Sequence, residues 1–120
     1  MKLNPSCIRD ILIAVESHSD FNTQVEYKIE DPFPELSCYS HKEILYHIRQ
    51  CEESGLITEV HYYDGGKHTD ISDLTPAGHE FLANIRNDSI WKKVISKGSG
   101  ASLSILMELA KQAALKYFLG

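Results

Sequence analysis

Residues Tyr39–Leu82 read YSHKEILYHIRQCEESGLITEVHYYDGGKHTDISDLTPAGHEFL, and the punctuation of this stretch sets the fold. Ser40 followed by Glu43 is a capping box, in which each side chain takes the other residue's free backbone N–H. Ile44, Ile48 and Cys51 recur at helical spacing with Leu45 beside them. Gly55 is the left-handed stop, after which Leu56 and Ile57 fold back onto the helix. Extended runs at Glu59–Tyr63 and His68–Ile71 flank Asp64-Gly65-Gly66-Lys67, a strong hairpin signal. Thr75 then caps a helix whose first residue is Pro76, where a missing N–H costs nothing, with Phe81, Leu82 and Ile85 facing inward. A helix followed by a β-hairpin wing is the second half of a winged-helix domain. The spacing therefore predicts a winged helix (winged helix-turn-helix-like), mainly helical with a small antiparallel β-sheet.

Upstream, Ile8, Ile11, Leu12 and Val15 form a helical stripe over Pro5–Ser17, with Asn4 as N-cap. Thr23–Ile29 alternates, with Val25, Tyr27 and Ile29 on the side expected to be buried. This strand is expected to pair with the hairpin. Asp31-Pro32-Phe33-Pro34 breaks it, because each proline disfavours helical geometry in the residue before it. Downstream, Asn87-Asp88-Ser89 interrupts the Pro76 helix, and Ile90, Trp91, Val94 and Ile95 carry a further short one. Lys97-Gly98-Ser99-Gly100 reads as a flexible joint before a last helix, Ser102–Phe118. Leu103, Leu106, Met107, Ala110, Ala113, Ala114 and Tyr117 form its stripe, and Ile105, Leu109, Leu115 and Phe118 widen the apolar surface. The expected division is a winged-helix domain over 1–97 and a C-terminal helix over 98–120. That helix is expected to pack on the first helix of its own chain and on a second subunit.

A chain of 120 residues supports one hydrophobic core and not two. No apolar run approaches the length needed to cross a bilayer, so no membrane partner is expected. Arg9, Asp10 and Glu16 inside the first apolar pattern argue against a signal peptide. Three cysteines without CxxC spacing fit a reducing compartment, and a cytoplasmic location is expected. The net charge of -5 is unevenly spread: residues 1–60 hold 5 Lys/Arg against 11 Asp/Glu. Affinity for nucleic acid rests on basic groups that displace counterions from phosphates, so an acidic N-terminal half works against a duplex surface there.

If the Ser40–Ser54 helix reads DNA, Tyr46, Arg49 and Gln50 would meet bases, Lys42 a phosphate, and Lys67 would contribute from the wing. Glu43, Glu52 and Glu53 on the same helix oppose that use. Lys92, Lys93 and Lys97, with Arg86 upstream, form a more basic surface that reads as a solvated helix face. Cys38-x2-His41 and His47-x3-Cys51 have the outline of a zinc site. Cys51, however, sits on the apolar stripe, and His41 and His47 fall off one helical face. His61 and His68 approach across the hairpin without a third partner. No metal site and no cofactor is expected. No GxSxG, HExxH or P-loop occurs, so the chain does not read as an enzyme.

Four segments carry a resemblance: KLNPSCIRDILIAVE, EILYHIRQCEESGLI, DLTPAGHEFLANIRNDSIWKKV and the closing GASLSILMELAKQAALKYFLG. Together they cover nearly the whole chain, which resembles domain-of-unknown-function family 2513. This is an uncharacterised family of bacteria and their phages whose members look like winged-helix proteins. The most specific run is LTPAGHEFLANIRNDSIWKKV, where Trp91 follows an Ile-Arg-Asn-Asp segment. The family has no agreed activity, so no catalytic or ligand residue is carried over. Its resemblance to winged-helix regulators implies DNA binding by fold analogy. The sequence departs from that pattern in having a strand-like segment where a short helix would brace the reading helix. Either the turn-helix pair is degenerate, or Phe33–Leu36 makes a single turn.

Two functions follow as expectations. One is a regulatory or accessory protein of phage or bacterial origin that binds double-stranded DNA as a homodimer. The other is a protein–protein interaction module that kept the fold without nucleic-acid binding. A continuous positive face across the reading helix and wing favours the first, and a split face favours the second.

Overall fold

The computed structural model describes Met1–Gly120. Asn4 accepts the Ser6 N–H and Pro5 takes the first helical position, opening α1 at Pro5–His18. Its stripe of Cys7, Ile8, Ile11, Leu12, Ala14 and Val15 is fully buried. Strand β1 spans Val25–Lys28, shorter than the alternation suggested. Val25 and Tyr27 point into the core, but Ile29 lies beyond the strand and is exposed, its N–H donating to the Lys67 carbonyl at 2.9 Å. Pro34–Leu36 makes a single 3-10 turn, one of the two forms expected for this segment, and buries Leu36 against α1.

Helix α2 (His41–Glu53) packs across α1, and Gly55 at φ 72 lets the chain reverse. Strands β2 (Ile57–Tyr63) and β3 (His68–Leu74) then pair antiparallel, with His61 opposite Asp70 and Tyr63 opposite His68. β1 pairs antiparallel with the other edge of β3, giving the order β1-β3-β2. The chain is thus mainly helical around a small three-stranded antiparallel sheet, an arrangement compatible with a winged helix.

Thr75 accepts the Gly78 N–H and caps α3 (Pro76–Ile85), while its own N–H donates to the Leu56 carbonyl at 3.0 Å. Gly78 lies so close to that carbonyl that a Cβ would collide with it. Asn87 accepts the Ser89 and Ile90 N–H groups, so α4 (Asp88–Lys97) is a separate helix. Arg9 ties α1 to this junction: its guanidinium donates to the Arg86 carbonyl and to Asp88, both at 3.0 Å, and lies over the Trp91 ring. Trp91, Phe81, Ile48, Ile11 and Leu56 are all buried, as the sequence pattern required.

Helix α5 (Leu103–Leu119) departs from expectation in its neighbours. It packs on α3 and α4, with α1 contributing little. The reason is the corner before it. Gly98 is buried, and a Cβ there would stand 2.5 Å from Leu106 Cδ2 and 2.9 Å from the Val94 carbonyl. The expected flexible joint is therefore a tight corner that folds α5 back onto α4. Leu103, Leu106, Ala110 and Ala114 are buried, whereas Tyr117 is exposed at the helix end, where its hydroxyl accepts from the Asn87 amide. No helix is long and apolar enough to cross a membrane.

Candidate functional site

The capping box forms as the spacing required: Ser40 Oγ accepts the Glu43 N–H at 3.2 Å, and Glu43 Oε1 accepts the Ser40 N–H at 3.3 Å. Glu43 is thereby held at the helix start. Ile44, His47, Ile48 and Cys51 face the core. Lys42, Tyr46 and Arg49 recur at i, i+4 and i+7 and so share the outer face of α2. Lys42 and Arg49 are exposed and Tyr46 is half-buried, its ring edge-on to His47 with centroids 5.0 Å apart. Gln50 is half-buried and lies on the flank, and exposed Glu53 falls on the same outer strip as the two cations.

The hairpin turn rests on this helix. Gly66 is buried with φ 89, and a Cβ there would run into the Leu45 side chain, so the turn closes onto α2. Lys67 follows it and is exposed. Behind the turn, the Tyr62 hydroxyl donates to Glu52 Oε1 at 3.4 Å with Arg49 alongside. Burial, with the Glu52 carboxylate adding to it, pushes the Tyr62 phenol up to about 12, and Arg49 opposes the rise. Arg49 is thus shared between the outer strip and β2. The structure brings Lys42, Tyr46 and Arg49 together, sets Gln50 beside them, and places Lys67 on the neighbouring turn. It also interleaves them with Glu52, Glu53 and Asp64, so the charge across helix and turn is split.

The four residues with a zinc-site outline do not converge. His41 Nδ1 lies 2.9 Å from the Tyr27 hydroxyl, Cys51 is buried in the core, and Cys38 is exposed. His47 accepts the Asn4 N–H at Nε2 and donates from Nδ1 to the Glu43 carbonyl. His68 does gain partners that its sequence position did not reveal: it, Asp70 and Glu26 bring ligand-capable atoms within 4.8 Å of one another. His68 Nε2 lies 2.7 Å from Asp70 Oδ1, and the Gln24 amide donates to the other Asp70 oxygen at 3.2 Å. Glu26 stands directly across from Asp70 in the β1–β3 pair, so the three side chains share one face of the sheet. A second grouping the sequence did not reveal lies at the far end of the molecule. There Lys93 and Lys97 of α4 meet Lys116 of α5 around one groove. Lys93 and Lys97 were legible as an i, i+4 pair, but Lys116 is too distant in sequence to be placed with them.

No solved structure matches the chain. An uncharacterised protein of Haemophilus influenzae is 30% identical over 115 residues, spanning 95% of this chain and 92% of that protein. The family described as "Hypothetical protein (DUF2513)" matches residues 2–104. The chain belongs to domain-of-unknown-function family 2513.

Proposed function

We propose that the chain is a winged-helix protein that acts by binding other proteins and carries out no reaction of its own. The observation behind this reading is the exposed end of α5, where Phe118 is 68% and Leu119 80% accessible beside exposed Leu115. An apolar patch of that kind marks an interaction surface. The split charge on α2 and the hairpin turn supports the same reading, since a duplex-binding face needs contiguous positive charge. Two-fold pairing of two chains is the simplest association through this end. Glu80 and Lys111 flank Phe118 in the cleft between α3 and α5, so each copy's lysine has the other's carboxylate to meet. Two measurements on the full chain test the reading: sedimentation at tens of micromolar, and anisotropy with a mixed-sequence duplex at low salt. A dimer that Phe118→Asp converts to monomer, with no duplex affinity, is the expected result. A monomer that binds duplex more tightly as salt falls would overturn it.

A second reading, a DNA-binding regulatory or accessory protein, is favoured by one observation: exposed Lys42 and Arg49 and half-buried Tyr46 share the outer strip of α2 next to the turn carrying Lys67. In a dimer, two such helices would be presented about one turn of duplex apart. On this reading Lys42→Ala with Arg49→Ala abolishes duplex binding.

A further inference from the structure

We infer that the groove between α4 and α5 is a docking site for an acidic amphipathic helix of another protein. The inference rests on the protein-binding reading above and names the partner's chemistry. The groove encloses about 630 Å³, and clefts that take ligands run to roughly 300–1,000 Å³. Val94 of α4 and Leu109 and Leu119 of α5 give it an apolar lining. Lys93, Lys97 and Lys116 stand around that lining, and no aspartate or glutamate side chain joins them. Lys93 and Lys97 are one helical turn apart, so both lie along the same edge.

Charge complementarity decides the occupant. A second copy of this chain seated here by two-fold symmetry would set its lysines against these lysines, which disfavours the wrong partner strongly. The two-fold contact proposed above centres on Phe118 in the adjoining cleft toward α3, where Glu80 and Lys111 provide both signs, and Leu115 and Leu119 border both clefts. A nucleic-acid strand would answer the lysines but lay phosphates over the leucines. An amphipathic helix answers both features: residues at i, i+3, i+4 and i+7 fill the apolar lining, and carboxylates along its edges reach the ammonium groups.

The test uses the full-length chain and a fluorescein-labelled peptide with leucines at i, i+3, i+4 and i+7 and glutamates elsewhere, read by fluorescence anisotropy. Saturable binding is expected, weakened about tenfold or more in the double variant Lys93→Glu, Lys97→Glu, as when paired charges become repulsive. Both lysines are exposed, so the variant is expected to fold, which circular dichroism checks. A matching peptide with lysines in place of glutamates should bind the variant better than the wild type. No binding of the acidic peptide, equal binding by wild type and variant, or equal binding of the two peptides overturns the proposal. So does release of the peptide by a short duplex, or loss of self-association in the Lys93→Glu, Lys97→Glu variant. A natural partner that still co-purifies with that variant overturns the groove alone and leaves the protein-binding reading standing.

Discussion

The backbone N–H of Asn4 donates to Nε2 of His47 at 2.8 Å, joining the N-cap of α1 to the buried face of α2. That bond fixes the tautomer, because Nε2 must accept, so Nδ1 carries the proton donated to the Glu43 carbonyl at 2.7 Å. His47 is fully buried and serves as a polar bolt between the two helices. Replacing it by leucine keeps the volume roughly and strands the Asn4 donor. His47→Leu is expected to lose about 1–3 kcal/mol of stability, the cost of a buried donor left without a partner. Urea unfolding checks this, and a change below the error of the extrapolation would show that water or a shifted backbone replaces the bond.

Gly78 stands against the Leu56 carbonyl, which already accepts the Thr75 N–H. Both groups are backbone and neither can swing away. Gly78→Ala should therefore destabilise the protein by about 1–3 kcal/mol or more through overpacking, although alanine favours helices elsewhere. A thermal melt distinguishes the outcomes: a raised midpoint would mean that α3 lifts from the hairpin base without cost.

Burial, with the Glu43 and Asp10 carboxylates adding to it, pushes the Cys7 thiol from its ordinary 9.0 up to about 12, and burial raises Cys51 as well. The thiolate is the reactive form, so neither should react at pH 8 in the folded state. Titration with a chromogenic disulfide should count one thiol, Cys38, in native protein and all three in denaturant. The same shifts set a pH dependence. The folded state favours the protonated thiols, so their contribution is intact below the ordinary thiol range and declines as pH rises from 9.0 toward about 12. Burial also raises the Tyr27 and Tyr39 phenols, the latter bonded to Asp10 at 2.6 Å, and both act in the same direction. Denaturation midpoints measured upward from pH 8 should fall, and a flat profile would contradict the packing of these groups.

Truncation after Lys97 removes Leu103, Leu106, Ala110 and Ala114 from the core they share with α3 and α4. Each leucine alone contributes about 1.5–3 kcal/mol on burial. The shortened chain is expected to aggregate, whereas the full-length variant Phe118→Asp should remain folded and lose only self-association. Light scattering and circular dichroism on the two proteins separate these outcomes.

Local chemistry was legible in the residues themselves. The capping box at Ser40 and Glu43, the positive-φ stop at Gly55, the turn at Asp64–Gly66 and the Thr75–Pro76 start each depend on neighbours within a few positions. Their geometry therefore follows from sequence order. The helical stripe of α1 was legible for the same reason, and so was the outer strip of Lys42, Tyr46 and Arg49. Ile29 escapes the alternation because that pattern says which side a residue faces but not where pairing with β3 stops. Only tertiary structure could decide how distant elements meet. It closed the turn onto Leu45 through Gly66, bolted His47 to Asn4, drew Arg49 toward Tyr62, and seated Asp70 among Gln24, Glu26 and His68. It also turned α5 away from α1, because the buried corner at Gly98 has room for no side chain, and so brought Lys116 to Lys93 and Lys97. Helix and turn propensities act over one or two turns of chain, whereas these contacts join residues many positions apart through close packing, which no local pattern encodes.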